Sequence, residues 1–340
     1  MGDSALHGEY QSVADMQKQP GCVLGAICFS SGPMAQSTDQ TLCMHVPMQR
    51  LDAPEASCEV WRSSGKIAPG QYGDIRYRHG EGVLFGVIAL PEHRFDALSG
   101  KPLLQQAAES AYRQVFELLD KLEYPYLYRF WNYIADINGQ SLGMERYRQF
   151  NIGRHDAFIA CGRDVLGNAP AACALGMTEG PLAIAFIAGT SPPLNIENPR
   201  QISACQYPQQ YGPRSPAFSR ASLVRTGKGK VLFISGTASI VGHATLHRDD
   251  AVMQAREAMA NIEAVLNEAN RQSPDLGCAL ADLTYRVYIR HPADLAAVRA
   301  ELVKLVGGQC NAVYLQADIC RADLLLEIEA VHAAYPCGMR

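Results

Sequence analysis

The sequence predicts an α+β fold of two tandem halves, each a mixed β-sheet covered by helices on one face. Two observations lead there: a strand–helix–strand–helix–strand order that occurs twice, and short echoes between the two copies. In the first copy Val83-Leu-Phe-Gly-Val-Ile-Ala89 reads as a strand. A helix follows over about 103–122, with Ala111, Val115, Leu118, Leu119 and Leu122 on its apolar stripe, and then the strand Leu127-Tyr-Arg-Phe-Trp-Asn-Tyr-Ile134. In the second copy Val231-Leu-Phe-Ile-Ser235 leads through a glycine-containing turn to a helix over about 250–269. Met253, Met259, Ile262, Val265 and Leu266 share one of its faces, and Leu283-Thr-Tyr-Arg-Val-Tyr-Ile289 follows. Each copy adds a second helix, near 143–151 and 292–306. A late strand closes each: Leu182–Ala188, or Ala312–Ala317 running on towards Ala330. Val-Leu-Phe opens both copies, and Tyr128-Arg129 answers Tyr285-Arg286. The stretch Pro193–Arg220 between them is rich in Pro, Gln, Tyr and Arg. It is too long for an ordinary connection, which marks it as a functional loop.

Composition narrows the function classes. A chain of 340 residues, 48% hydrophobic, buries a large core and has the length of about two domains. A net charge of −4 gives no footprint for nucleic acid, though it leaves room for a local arginine cluster facing an anionic small molecule. No apolar run approaches the ~20 residues of a membrane helix. Met1–Gln19 is polar and lacks the apolar centre of a secretion signal. The eleven cysteines are scattered without a CxxC pair, so reduced thiols in a cytoplasmic protein are expected. His243 and His247 are four residues apart but lie in the connection after Ser239 with no third ligand evident. Gly65–Gly82 lacks phosphate-loop order. No metal and no cofactor are expected.

The chemistry is sought near the end, in Asp318-Ile-Cys-Arg-Ala-Asp-Leu-Leu-Leu-Glu-Ile-Glu-Ala330. In a strand Glu327 and Glu329 share one face with Leu325, while Leu326, Ile328 and Ala330 form a core face. A carboxyl in such a run is either a strand-end charge in water or an acid in an apolar site. In the second case burial raises its pKa and lets it donate a proton near neutral pH.

Several blocks in order make the second half resemble the RidA/YjgF fold: Ala217-Phe-Ser-Arg-Ala221, Lys230-Val-Leu-Phe-Ile-Ser-Gly236, Ala255–Ala269 and Leu325-Leu-Glu-Ile-Glu-Ala330. RidA imine deaminases carry a carboxylate-binding Arg fifteen residues before the signature Glu, and Ala312 stands there, which argues against that activity. The whole chain resembles a smaller family on that fold, the chorismatases, which remove pyruvate from chorismate. The stretches that carry this are Phe130–Asn138, Glu145–Arg154, Tyr207–Pro216, Ser235-Gly-Thr-Ala-Ser-Ile240 and Cys320–Glu327.

The resemblance implies that Glu327 is the catalytic acid. It also implies that Gly236 and Cys320 place the chain with members forming 3- or 4-hydroxybenzoate rather than a dihydrodiol. Chorismate is a dianion and needs cationic anchors, best supplied by the planar fork of Arg. Arg154, Arg214 and Arg220, with Tyr207 and Tyr211 as hydroxyl donors, are the candidates. The expected division is 1–212, a degenerate RidA-like domain carrying a substrate-binding loop, and 213–340, the domain carrying Glu327. The expected assembly is a monomer or small homo-oligomer with its site between the halves. A hydrolytic chorismatase, an imine deaminase and a small-molecule-binding regulator are the alternatives.

Overall fold

The computed structural model describes residues 6–18, 22–32, 41–164, 169–226 and 229–333. β1 (Leu6–Ser12), α1 (Val13–Lys18), β2 (Val23–Phe29), β3 (Cys43–Val46) and β4 (Ser57–Ser63) make an N-terminal unit with sheet order β1-β4-β2-β3. Its strands escaped the sequence reading because β2 and β4 are buried at every position, so no alternation of apolar and polar residues marks them.

The first half comprises β5 (Ala68–Tyr72), β6 (Ile75–Gly80), β7 (Val83–Leu90), α2 (Leu103–Leu122) and β8 (Tyr126–Ala135). It continues through a ribbon of β9 (Gln140–Ser141) and β10 (Met144–Glu145) to α3 (Arg146–Ala160), β11 (Ala171–Met177) and β12 (Leu182–Gly189). The second half comprises β13 (Leu194–Ile196), β14 (Ala221–Thr226), β15 (Gly229–Thr237) and a ribbon of β16 (Ile240–Val241) and β17 (Ala244–Thr245). α4 (Ala251–Gln272), β18 (Thr284–Ile289), α5 (Leu295–Val306), β19 (Asn311–Gln316), β20 (Asp318–Ile319) and β21 (Leu326–Ala333) complete it.

The duplication is visible in the strand orders. β11-β8-β12-β7-β6 in one sheet matches β19-β18-β21-β15-β14 in the other. Each has one parallel pair, β8–β11 or β18–β19, and a late strand slotted antiparallel beside the first long one. The outer face of the first sheet packs on α2 and α3 through Leu104, Tyr112, Phe116, Phe130 and Phe186. The outer face of the second packs on α4 and α5 through Ile262, Leu266, Tyr285, Val298 and Ile328. The inner faces meet each other and the N-terminal sheet around Trp61, Phe85, Trp131 and Phe233. These are the two helix-covered mixed sheets expected from the sequence.

Three boundaries differ from expectation. The run from Ala312 to Ala330 is not one strand but three. Arg290 accounts for the break: its guanidinium donates to the carbonyls of Ile319, Arg321 and Leu324, which folds the segment back. The helix expected near 143–151 is α3, which starts at Arg146 and runs to Ala160. Its buried face carries Gln149, Asn151 and Arg154, so apolar periodicity understates it. β11 had no strand signal, being Ala-rich and free of β-branched residues. β13, although it precedes residue 212, pairs with β14 of the second sheet, and β20 of the second half pairs with β11 of the first sheet.

One cysteine expectation is corrected. Cys28 and Cys58 face each other across β2 and β4 and are joined as a disulfide, with Cys43 Sγ 3.0 Å from Cys28 Sγ. No described helix is long and apolar enough to cross a membrane.

Where the inner faces meet, four charges are buried. Arg129 Nη2 lies 2.7 Å and Arg286 Nη1 3.6 Å from Glu329 Oε2, and Arg286 also pairs with Glu59. Removing one member leaves the others buried without compensation, so Arg286→Ala is expected to cost about 3–5 kcal/mol, measured by urea unfolding. A loss below about 1 kcal/mol, the level of a surface ion pair, would contradict a structural role for the cluster.

Candidate active site

β21 presents two carboxyls to the interior between the sheets and sends Leu326, Ile328 and Ala330 into the helix-covered core. In register, Glu327 stands opposite Tyr288 and Glu329 opposite Arg286. Both acids are about 5% exposed or less, yet their surroundings differ. Glu329 accepts hydrogen bonds from Trp131 Nε1 (3.0 Å) and Tyr288 OH (2.8 Å) besides its two arginines. Burial pushes its pKa up, but Arg129, Arg286 and the Cys173 and Tyr288 donors outweigh that and hold it below the ordinary value. The exposed alternative for Glu329 is thereby excluded, and its environment is that of a fixed structural anion.

Glu327 has no arginine partner among the described residues. Its recorded contact is Cys320 Sγ, 3.9 Å from Oε2. Burial pushes its pKa up to about 8, Glu329 adds to the rise, and Arg129 and the Cys320 thiol oppose it. The result is a carboxylic acid that still carries its proton at neutral pH. Burial, then the neighbouring Glu327, push the Cys320 thiol upward too. A protonated, half-buried thiol is a wall and a weak donor, not a nucleophile.

Gly236 makes room for this acid. β15 breaks register between Ile234 and Thr237 where it passes β21. A Cβ on Gly236 would stand 1.9 Å from Glu327 Oε1, 2.7 Å from its Cδ and 3.1 Å from Cys173 Cβ. The residue is glycine because of this approach, not because of its backbone angles.

An open cavity of about 600 Å³ lies over these groups. The first half contributes Glu145, Tyr147 and Arg148 to its lining, and the second contributes Gly236, Cys320 and Glu327. The long connection adds Tyr207, Tyr211 and Arg220. Arg220 donates to Ile202 O (2.7 Å) and Tyr207 OH (3.0 Å), and its Nε is buried with no hydrogen-bond partner among the described residues. Arg321 stacks 3.9 Å over the Tyr211 ring and donates to His243 O (2.9 Å) and Thr245 Oγ1 (3.3 Å). Its Nη2 is likewise unpartnered. Two guanidiniums, each with a spare donor, line a cavity that also holds a neutral acid. That arrangement suits a small dianion undergoing proton transfer.

Six of the residues singled out from sequence thus meet in one cavity: Glu327, Cys320, Gly236, Tyr207, Tyr211 and Arg220. Arg154 and Arg214 do not line it. Arg154 is buried in α3, donates to Asn151 Oδ1 (2.8 Å) and stacks on Phe150, with Tyr147 on the same helix in the lining. Arg214 is exposed, and its charge helps lower the pKa of His155 below the ordinary value, after burial. Arg321 was missed although it directly follows Cys320 in the stretch that carried the resemblance. His243, set aside as a loop histidine, lines the cavity with Nδ1 3.2 Å from Tyr211 OH. No group of side chains suited to a metal ion occurs among the described residues. Ala312 lies on β19 against the helix-covered core of the second half.

Comparison with known proteins adds to this geometry. Residues 59–188 match the family described as chorismatase FkbO/Hyg5-like, N-terminal. A 3-hydroxybenzoate synthase of Streptomyces hygroscopicus is 38% identical over 82% of this chain and 82% of its own length. A chorismatase of Streptomyces rapamycinicus is 37% identical over 82% of this chain and 83% of its own. A chorismatase crystal structure superposes with a TM-score of 0.87 at 32% identity, covering 98% of this chain and all of its own.

The protonation state of Glu327 is directly testable. Infrared titration of the apo protein, read against Glu327→Gln, should show one carboxylic-acid carbonyl band lost as pH rises through about 8. A Glu327 already ionised at pH 6 would remove the acid from the site.

Proposed function

The chain belongs to the chorismatase family, and from that premise we propose that it converts chorismate to a hydroxybenzoate and pyruvate. The observation that carries this reading is the buried, arginine-free Glu327 beside two guanidiniums with unfilled donors. Chorismate brings a ring carboxylate and an enolpyruvyl carboxylate. Arg220 and Arg321 are assigned to these, with the phenols of Tyr207 and Tyr211 framing the cations.

Glu327 gives its proton to the enolpyruvyl methylene carbon, leaving oxocarbenium character at the ether carbon and a carboxylate on Glu327. Glu329 and Cys320 lie beside the acid, and no guanidinium is paired with it to favour its ionised form before the transfer. The neighbouring ring hydroxyl then displaces the pyruvyl oxygen. The resulting arene-oxide-like ring opens and aromatises, returning a proton. Hydroxybenzoate plus pyruvate contain the atoms of chorismate and nothing more, so this route consumes no water, whereas dihydrodiol formation consumes one. Gly236 and Cys320, which set where the acid and ring stand, support the water-free route. With Cys320 a protonated thiol, its part is to shape the pocket and keep water out.

Incubation with chorismate should release pyruvate with 3- or 4-hydroxybenzoate, separated by chromatography. Dihydrodiol as the main product would favour the hydrolytic reading, and no pyruvate would refute both. Glu327→Gln should lower kcat by about 10²–10⁴-fold while the melting temperature stays near that of the parent. A variant that retains turnover would point to a binding role instead. Gly236→Ala forces the carboxyl away from its present place. It should slow turnover and raise the dihydrodiol share, and an unaltered product ratio would take Gly236 out of that decision.

A further inference from the structure

Glu329 is fully buried beside the acid, and the reaction above gives it no direct contact with substrate. Every polar partner it has acts to keep it ionised. Two guanidiniums, an indole N–H at 3.0 Å and a phenol O–H at 2.8 Å converge on its two oxygens. The other buried acid of the cluster, Glu59, is different: burial holds its pKa above the usual range against the pull of Arg286. Of the two acids, Glu329 is therefore the one whose charge its partners hold most firmly. It lies two residues from Glu327 on the same face of β21, a spacing of about 7 Å along an extended strand.

We propose that Glu329 is a positioning residue of the reaction: as a locked anion on the strand that bears the acid, it keeps Glu327 in the proton-carrying form that the enol ether requires. This rests on the chorismatase reading for the identity of the proton acceptor, though not for the electrostatics. A unit charge about 7 Å away, at an effective dielectric near 20, moves a carboxyl by one to two pH units.

The groups around Glu327 leave Glu329 as the main charge on it. β18 offers neutral Tyr288, β11 the buried Cys173 thiol, α3 the neutral Tyr147 and the turn after β20 the Cys320 thiol. From β8, Arg129 opposes Glu329 with a weaker effect. Arg220 and Arg321, with Arg148 and Glu145, line the same cavity, along with His243 and Asp323, and none of them is among the main charges acting on Glu327. Arg129 and Arg286 thus do two things at once. They fix Glu329 as an anion, and by engaging its oxygens they are held back from Glu327.

The test compares the parent, Glu329→Gln and the charge-balanced pair Arg129→Met with Glu329→Gln. The pair keeps Arg286 matched with Glu59 if the single variant does not fold. Two readouts are taken: the high-pH limb of kcat/KM for pyruvate release from chorismate, and the Glu327 carbonyl band by infrared titration, which needs no turnover. The expected result is a shift of both to lower pH, by one to two units in the single variant and by less in the pair, where an opposing cation is also lost. At pH 7 a one-unit shift from about 8 leaves about half of Glu327 protonated, a roughly twofold loss of the active form. A folded variant whose Glu327 titrates as in the parent overturns the proposal and assigns Glu329 a purely structural role. If the parent releases no pyruvate, the chorismatase reading falls, and the infrared shift alone decides the role of Glu329.

Discussion

Two arginines converging on one buried carboxylate set the terms for the rest of this molecule. Burying four charges between sheets is costly unless each is paired. Arg129, Arg286, Glu59 and Glu329 meet that condition only when the N-terminal sheet and both large sheets are in place, because each contributes at least one member. The cluster thereby locks the relative placement of three sheets. It also absorbs the positive charge nearest the acid, which lets a second carboxyl two residues away remain neutral. Trp61 packs against Trp131 and Phe233 beside it.

The duplicated topology explains how such a cluster arises. Arg129 on β8 and Arg286 on β18 occupy corresponding strands, and so do Trp131 and Tyr288, two residues further along each. Across β18–β21 Arg286 faces Glu329, whereas across β8–β12 Arg129 faces Ile187. The first copy lacks the carboxylate its arginine would pair with, so Arg129 and both hydrogen-bond donors serve the acid of the second copy, which shares Arg286 with Glu59. The faint echo between Tyr128-Arg129 and Tyr285-Arg286 is the trace of this shared partner.

How much of this could be read from the residues varied with the physical signal. The amphipathic helices α2 and α4 were legible because one face of each is apolar and its period is plain, and the strands β7, β8, β15 and β18 because each is a short run rich in aliphatic and aromatic residues. The strands buried on both faces, β2, β4 and β11, carry no period to detect. Glu327, Gly236 and Cys320 were legible only through resemblance: spacing placed two acids on one face but did not rank them, and the ranking came from what surrounds each. Arg321 was hidden by a different cause. Its role depends on stacking against Tyr211 from a loop more than a hundred residues earlier, which no local pattern encodes. Arg154 looked like an anchor by position, but its helix turns it towards Asn151 and Phe150 instead.

The pairing of β20 with β11 bears on how the chain comes to be built. Leu175 and Gly176 on the first sheet hydrogen-bond in register with Ile319 and Asp318. As the chain emerges from the ribosome, the first sheet therefore stands with an open edge until nearly the whole sequence has been made. An open edge invites pairing with other chains. The short strand that pairs with the end of that edge leads straight into the turn carrying Cys320, so a late stitch on the first sheet is also the one that sets a wall of the candidate cavity.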